Sequence, residues 1–489
     1  MTNKNLTERL FLWFLMLYMS VLCMSNTIAL RNVALALLCV IAIGTFIFKR
    51  EALHQRFSRS LLMVPRLFWA WALFLLLFPF WAPESTVAWA NFRGQWLESL
   101  LVWFVAFAAV VLLGHASLGL WLLALASAAP ALLHLLMVIL AWIGFLPHSL
   151  PETATITHLF SYAFARYNEL GLTPIGFPWG FRGLEPMHGN LGYSASQALV
   201  AFTAIALSAF HDRRTGLFAG AFFGILACLA CILIANSRGA ILYSLLTVWV
   251  MTFVYFFVIA KRLPLADYFK TPRFKFLAVC FVIFVCAFSV FAVHSVKRDS
   301  RWMPMADSIL IGLSIPDPTD VLCNGVSPDI KEKITRDFFE AGPQYQERLI
   351  AGVGGDGGRV LLMRAGLQLV LENPLGLDGS RDAFKKRMQE KCGHIPVLEF
   401  AHSHNGWFDT VLALGWLGGA LYASLFVFFI QAGWGSLNDK KHWPFALALL
   451  SLTLFWALRG MADSVYREHY LQMQAVMLGI LYFKIQSEN

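Results

Sequence analysis

The chain is short of charge. Only 14% of its 489 residues are Asp, Glu, Lys or Arg, while 58% are hydrophobic. An ordinary soluble domain carries about a quarter charged residues, so disorder and a string of soluble domains are both excluded. Eight cysteines in this length make no disulfide scaffold, and 35 glycines and 19 prolines show no collagen period. Low-complexity tracts and repeats of about 20–50 residues are absent as well. What is abundant is apolar runs, recurring from end to end. A net charge of +9 then reads as basic loops that hold orientation in a bilayer, not as a nucleic-acid footprint.

These runs predict an all-α polytopic integral membrane protein of about twelve spans. The expected spans are residues 10–30, 32–48, 67–81, 99–113, 118–146, 191–210, 217–235, 240–260, 276–293, 406–430, 444–458 and 469–483. They group as residues 1–146 (spans 1–5), an outer segment 147–190, residues 191–293 (spans 6–9), a large and partly helical loop 294–405, and residues 406–489 (spans 10–12). Lys49, Arg50, Arg56 and Arg59 share one short loop. Arg213 and Arg214 share another, Lys261, Arg262, Lys270, Arg273 and Lys275 a third, and Lys440 and Lys441 a fourth. All four fall on the side of the termini, so both termini are expected in the cytoplasm and the two long segments in the periplasm. The first run lacks a small-residue cleavage site and reads as an anchor. Cys228 and Cys231 lie within a span and read as packing. Cys323 and Cys392, in the large loop, fit either a disulfide or two free thiols.

Ionisable groups at a membrane face are costly and mark candidate sites. Asn236-Ser237-Arg238-Gly239 makes a tight turn between spans 7 and 8. Alone, Arg238 reads as a snorkelling interface arginine; in company it is a fixed cation aimed at an anion. Gly354-Gly355-Asp356-Gly357-Gly358 precedes an apolar-periodic helix that carries Arg359 and Arg364 and stops at Asn373-Pro374. A helix N-terminus suits phosphate, and arginine adds a bidentate donor. Ala401-His402-Ser403-His404-Asn405-Gly406 closes the large loop and opens span 10, with Gly415-Trp416-Leu417-Gly418 inside that span. His402 and His404 lack a third ligand at metal spacing, so a general base outranks a metal site; neighbouring arginines would favour the neutral ring. Arg182, His188 and Asn190 precede span 6 on the same side. Arg459, Asp463, Arg467 and Glu468 read as ion pairs within the last outer loop. Together, arginines holding a diphosphate and a histidine taking a proton describe group transfer from a membrane-borne pyrophosphate.

His404-Asn405 followed by Gly415-x-x-Gly418 resembles the signature of bacterial O-antigen ligases, within the O-antigen ligase and polymerase superfamily. Ser237-Arg238-Gly239 and the run from Arg359 to Asn373-Pro374-Leu375-Gly376 are similar to that family's other segments, as is Arg182 to Asn190. The resemblance covers about residues 182–418. It implies transfer of a glycan from undecaprenyl diphosphate to a lipid A–core oligosaccharide at the outer leaflet of the bacterial inner membrane. No metal or cofactor and no nucleotide sugar is implied. His404 would activate the acceptor hydroxyl, and Arg238 and Arg359 would bind the diphosphate, with inversion at the anomeric carbon. Arg364 ranks behind Arg359; Arg182, His188, Asn190, His402, Asn405, Gly415 and Gly418 are further candidates.

Three rivals stand beside this reading. A polymerase of the same superfamily would use the same donor with another lipid-linked glycan as acceptor. Metal-dependent transferases place carboxylates in the first outer loop, but residues 25–32 contain none, and no D-x-D occurs in the outer loops. A transporter would place polar groups at mid-membrane and show repeats.

Overall fold

A computed structural model describes residues 6–24, 26–48, 64–114, 118–147, 181, 188–235, 237–259, seven scattered positions between 271 and 290, 304–354, 356–466 and 468–487. Every regular element among them is helical. Helices α1 (Leu6–Val21), α2 (Ile28–Phe48), α3 (Arg66–Leu77), α4 (Ser85–Asn91), α5 (Leu97–Leu113) and α6 (Leu120–Trp142) form the first half of a bundle. Then come α7 (His188–His211), α8 (Thr215–Ile234) and α9 (Arg238–Val254). A compact insertion follows: α10 (Met305–Ser314), α11 (Pro318–Asn324), α12 (Pro328–Asp337), α13 (Pro343–Val353), α14 (Asp356–Glu372) and α15 (Ala383–Cys392). Helices α16 (Gly406–Ser436), α17 (Trp443–Gly460) and α18 (Glu468–Gln486) complete the bundle.

Among the described residues eight helical stretches are long and apolar enough to cross a membrane, and they match expected spans 2, 4–8, 10 and 11. The others differ for physical reasons. Helix α1 has 16 residues and α3 has 12, short for a core of about 30 Å. Span 9 lies mostly outside the described residues. Helix α18 is buried on nearly every side and places Gln472, Gln474 and Lys484 in the interior. Its surroundings are protein, so its sequence need not be as apolar as a lipid-facing helix. Helix α7 is the other central element. Its small residues let neighbours come close: Gly192 lies against Ser237 and Ala240, Ser196 bonds Ser244 at 2.6 Å, and Ser194 donates to the Ser127 carbonyl at 2.6 Å.

The insertion has its own core, built on Val321, Leu349, Val353, Leu361, Leu362, Leu369 and Phe384. Asp317 and Ser327 cap its short helices through Thr319 N and Ile330 N. A disulfide joins Cys323 to Cys392, with Cα atoms 5.4 Å apart. Just beyond it, Val397 and Leu398 donate to the carbonyls of Cys323 and Leu322. The chain leading to His404 is thereby tied to α11. Cys228 and Cys231 are free and buried within α8.

Helix α16 is broken. Its 31 residues would reach about 46 Å, but Gly415 adopts φ 78° and ψ 174°. The 21 or so residues after it still suffice for a span. The break orphans backbone groups, and the loop after α14 satisfies them. Trp416 N donates to Pro374 O at 2.9 Å, Leu377 N to Leu412 O at 3.0 Å, and Gly379 N to Ala413 O at 3.0 Å. Gly376 also has positive φ, 81°, and side chains on either glycine would strike the other loop's backbone. The Asn373-Pro374-Leu375-Gly376 segment and Gly415 therefore fit each other. Gly418 lies against Phe74 of α3. Gly415→Ala is expected to cost about 2 kcal/mol or more, combining left-handed strain with a Cβ 2.6 Å from Leu375 C. A fall in melting temperature in detergent checks this; an unchanged one would mean the break is unconstrained.

Candidate active site

One end of the bundle collects the polar motifs. The N-terminus of α16, the C-terminus of α17 and the N-termini of α7, α9 and α18 all meet there. Gly406 N donates to Asp463 O at 3.0 Å. Asn190, buried at the start of α7, accepts from His469 at 3.2 Å and from Tyr470 at the start of α18. Gly239 of α9 leaves room for the Arg459 guanidinium of α17, which a Cβ there would overlap.

His404 stands two residues before α16 with φ 55°, a left-handed conformation that a non-glycine residue adopts only under constraint. The constraints are local. Asn405 caps α16, its Oδ1 accepting from Phe408 N at 3.1 Å, and its Nδ2 donates to Met461 O at 3.2 Å. Ser403 Oγ accepts from Asn405 N at 3.2 Å, and Ser403 N donates to Asp409 Oδ1 at 3.0 Å. Gly366 of α14 packs against Ser403 from the other side. Asn405 is thus the residue that fixes the turn, and Gly415 and Gly418 fix the helix below it.

Among the described residues the charged group facing His404 is a carboxylate; the side chains of Arg238 and Arg182, expected near the ring, lie outside them. His404 Nδ1 lies 3.6 Å from Asp463 Oδ1. Asp463 Oδ2 accepts from Tyr193 Oη and from Arg459 Nη2, both at 2.6 Å, and Oδ1 accepts from Ser464 N at 2.9 Å. Burial acts to raise the Asp463 pKa; the His404 ring, the Arg459 charge and the Tyr193 hydroxyl outweigh it and hold the carboxyl well below its usual range. The carboxylate is therefore charged at neutral pH. Arg459 is itself buried. Its Nε donates to Tyr193 Oη at 3.0 Å, and its guanidinium lies 5.2 Å from the Tyr193 ring and 5.5 Å from that of Tyr243. The ion pair expected between Arg459 and Asp463 is present, and its place behind His404 went unread. A basic residue ending one span, with an acid four residues on, was the available signal.

Arg359 is on α14, seven residues before Gly366. Seven residues are about two turns, roughly 10 Å along one face, so Arg359 lies on the face of α14 that packs against the His404 turn. Its side chain is exposed and bonds to no described residue. Arg364 is occupied elsewhere. Its guanidinium donates to Gly312 O (3.0 Å), Leu313 O (3.3 Å), Ile315 O (2.5 Å) and Pro316 O (3.2 Å), closing the C-terminus of α10. Arg238 opens α9 beside the Gly239–Arg459 contact; its side chain, like that of His188, lies outside the described residues, as does all of Arg182. His402 adjoins His404, with ring centroids 4.3 Å apart, and its Nδ1 accepts from His404 N at 3.3 Å.

With Nδ1 turned to a carboxylate, the ring proton belongs on Nδ1 and the Nε2 lone pair faces away. This is how an acid orients a histidine as a base, and apo distances in such pairs are often long. No curated protein matches the chain. Residues 223–423, from α8 to the middle of α16, match the family model described as O-antigen ligase, and it is to that family that this stretch of the chain is similar.

Proposed function

We propose that the protein is an O-antigen ligase. It moves a glycan from undecaprenyl diphosphate to a hydroxyl of a lipid A–core oligosaccharide on the periplasmic side of the inner membrane. The observation that carries the reading is the His404–Asp463 pair, backed by a buried arginine and tyrosine, at the bundle end where the family motifs meet. His404 Nε2 takes the acceptor proton as its oxygen attacks the anomeric carbon. The bond to the diphosphate breaks and the configuration inverts. Arg359 and Arg238 hold the leaving diphosphate, stabilising its charge as it develops.

The test is a reconstituted transfer assay with lipid-linked glycan, lipid A–core and EDTA. Glycan on the core supports the ligase. Longer lipid-linked glycan with an unmodified core means a polymerase, and no transfer at all sinks both. Arginine roles separate within this assay. Arg359→Lys is expected to weaken donor affinity about tenfold, because lysine loses the bidentate fork. Arg364→Lys instead lowers the melting temperature and leaves donor affinity unchanged. The reverse pattern would move the diphosphate to Arg364.

A further inference from the structure

The turn that presents His404 also has the composition of a transition-metal site. His402, His404 and Asp463 each offer a ligand atom, and these atoms all lie within 4.8 Å of one another. Two observations go beyond composition. His404 Nδ1 is buried and makes no hydrogen bond to any described residue. Its 3.6 Å separation from Asp463 Oδ1 exceeds a hydrogen bond but is near the edge of a tetrahedron with bonds of about 2.0–2.1 Å, roughly 3.3 Å. Imidazole and carboxylate donors suit zinc and its neighbours, and three ligands leave a position for water. Asp463 is also held as a metal ligand needs to be. Oδ2 is engaged by Tyr193 and Arg459, which orients Oδ1 and offsets the nearby guanidinium charge. The contact from His404 N to His402 Nδ1 is long, 3.3 Å.

We propose that His402, His404 and Asp463 reversibly bind a divalent transition ion, zinc being the probe of choice, and that occupancy switches the enzyme off. The chemistry follows from the tautomer. A metal on Nδ1 displaces the proton there, and the neutral ring then carries its proton on Nε2. That nitrogen must be empty to accept the acceptor's proton, so the bound ion blocks the base without reaching the substrate. The inhibitory part rests on the reading of His404 as base; binding does not.

The experiment uses the full-length protein in detergent, stripped with EDTA and desalted. Zinc is titrated against a chromophoric indicator, and cobalt replaces zinc to give a visible d–d band. The expected result is one ion per chain, with affinity at least about tenfold weaker in His402→Ala and Asp463→Asn, both checked for folding by melting. Buffered zinc should stop transfer, and EDTA should restore it. Equal affinity in wild type and both variants, or no bound ion, would overturn the site. Zinc bound there with transfer undiminished would overturn the switch and the base assignment together. No zinc binding alongside an inactive His404→Ala would sink the metal site alone.

Discussion

Replacing His404 with alanine should lower transfer by about 10²–10⁴-fold, the range spanned by a positioned general base, and leave the melting temperature close to wild type. The two halves of this expectation have separate sources. The turn is held by Asn405, Ser403 and the Gly406–Asp463 contact, none of which uses the imidazole, so the backbone does not depend on it. The ring meets Asp463 beyond hydrogen-bond distance and meets His402 and Phe400 edge-on, so little packing is lost. The catalytic half rests on Nε2 alone. Asp463→Asn tests orientation apart from proton transfer. It keeps the shape and removes the charge, so kcat should fall while KM for the lipid-linked donor holds. A folded His404→Ala protein with wild-type transfer would end the base assignment. An Asp463→Asn loss confined to donor KM would instead place the carboxylate in binding.

How much of this was legible beforehand depended on the range of the signal. Hydropathy runs are local and read well, and so is a cap such as Asn405 ahead of an apolar stretch. The arrangement of motifs at one end followed from counting spans, which alternates ends whatever the packing. Relations between distant segments were not legible. The fit of Gly376 into the Gly415 break is a backbone match between two loops, and in sequence each looks like ordinary punctuation. Asp463 and His404 sit in different loops, and the docking of Gly406 on the Asp463 carbonyl and of Asn405 on the Met461 carbonyl brings them together. Hydropathy also measures composition, not burial. It treats α18 as another span, although its glutamines bond inside the protein: Gln474 accepts from Tyr422 at 2.9 Å and donates to Val465 O at 2.8 Å.

Arg459→Leu should destabilise the protein by about 3–5 kcal/mol, the usual cost of leaving a buried charge without its partner. It is the largest stability effect expected here. Arg459 is 6% exposed, and its guanidinium fills the space that Gly239 leaves between the rings of Tyr193 and Tyr243. Leucine supplies apolar bulk but no donors, so among the described residues Asp463 keeps only Tyr193, Ser464 and the more distant His404 ring. The pH dependence separates this from a packing defect. In wild type the Asp463 pKa is held well below its usual range. The stability it contributes is present above the unfolded value of about 4 and is lost only as pH falls through the depressed folded value. Without Arg459, burial dominates and the folded pKa rises, so the contribution reverses. Stability is then full below the unfolded value and is lost as pH climbs through the raised one. The melting gap between variant and wild type should therefore narrow as pH drops from about 7 toward 5. Arg459→Leu combined with Asp463→Asn should recover part of the loss at neutral pH, because the stranded charge is gone. A gap that stays constant with pH and is unrelieved in the double variant would mean that Arg459 acts through its volume and not through the carboxylate behind His404.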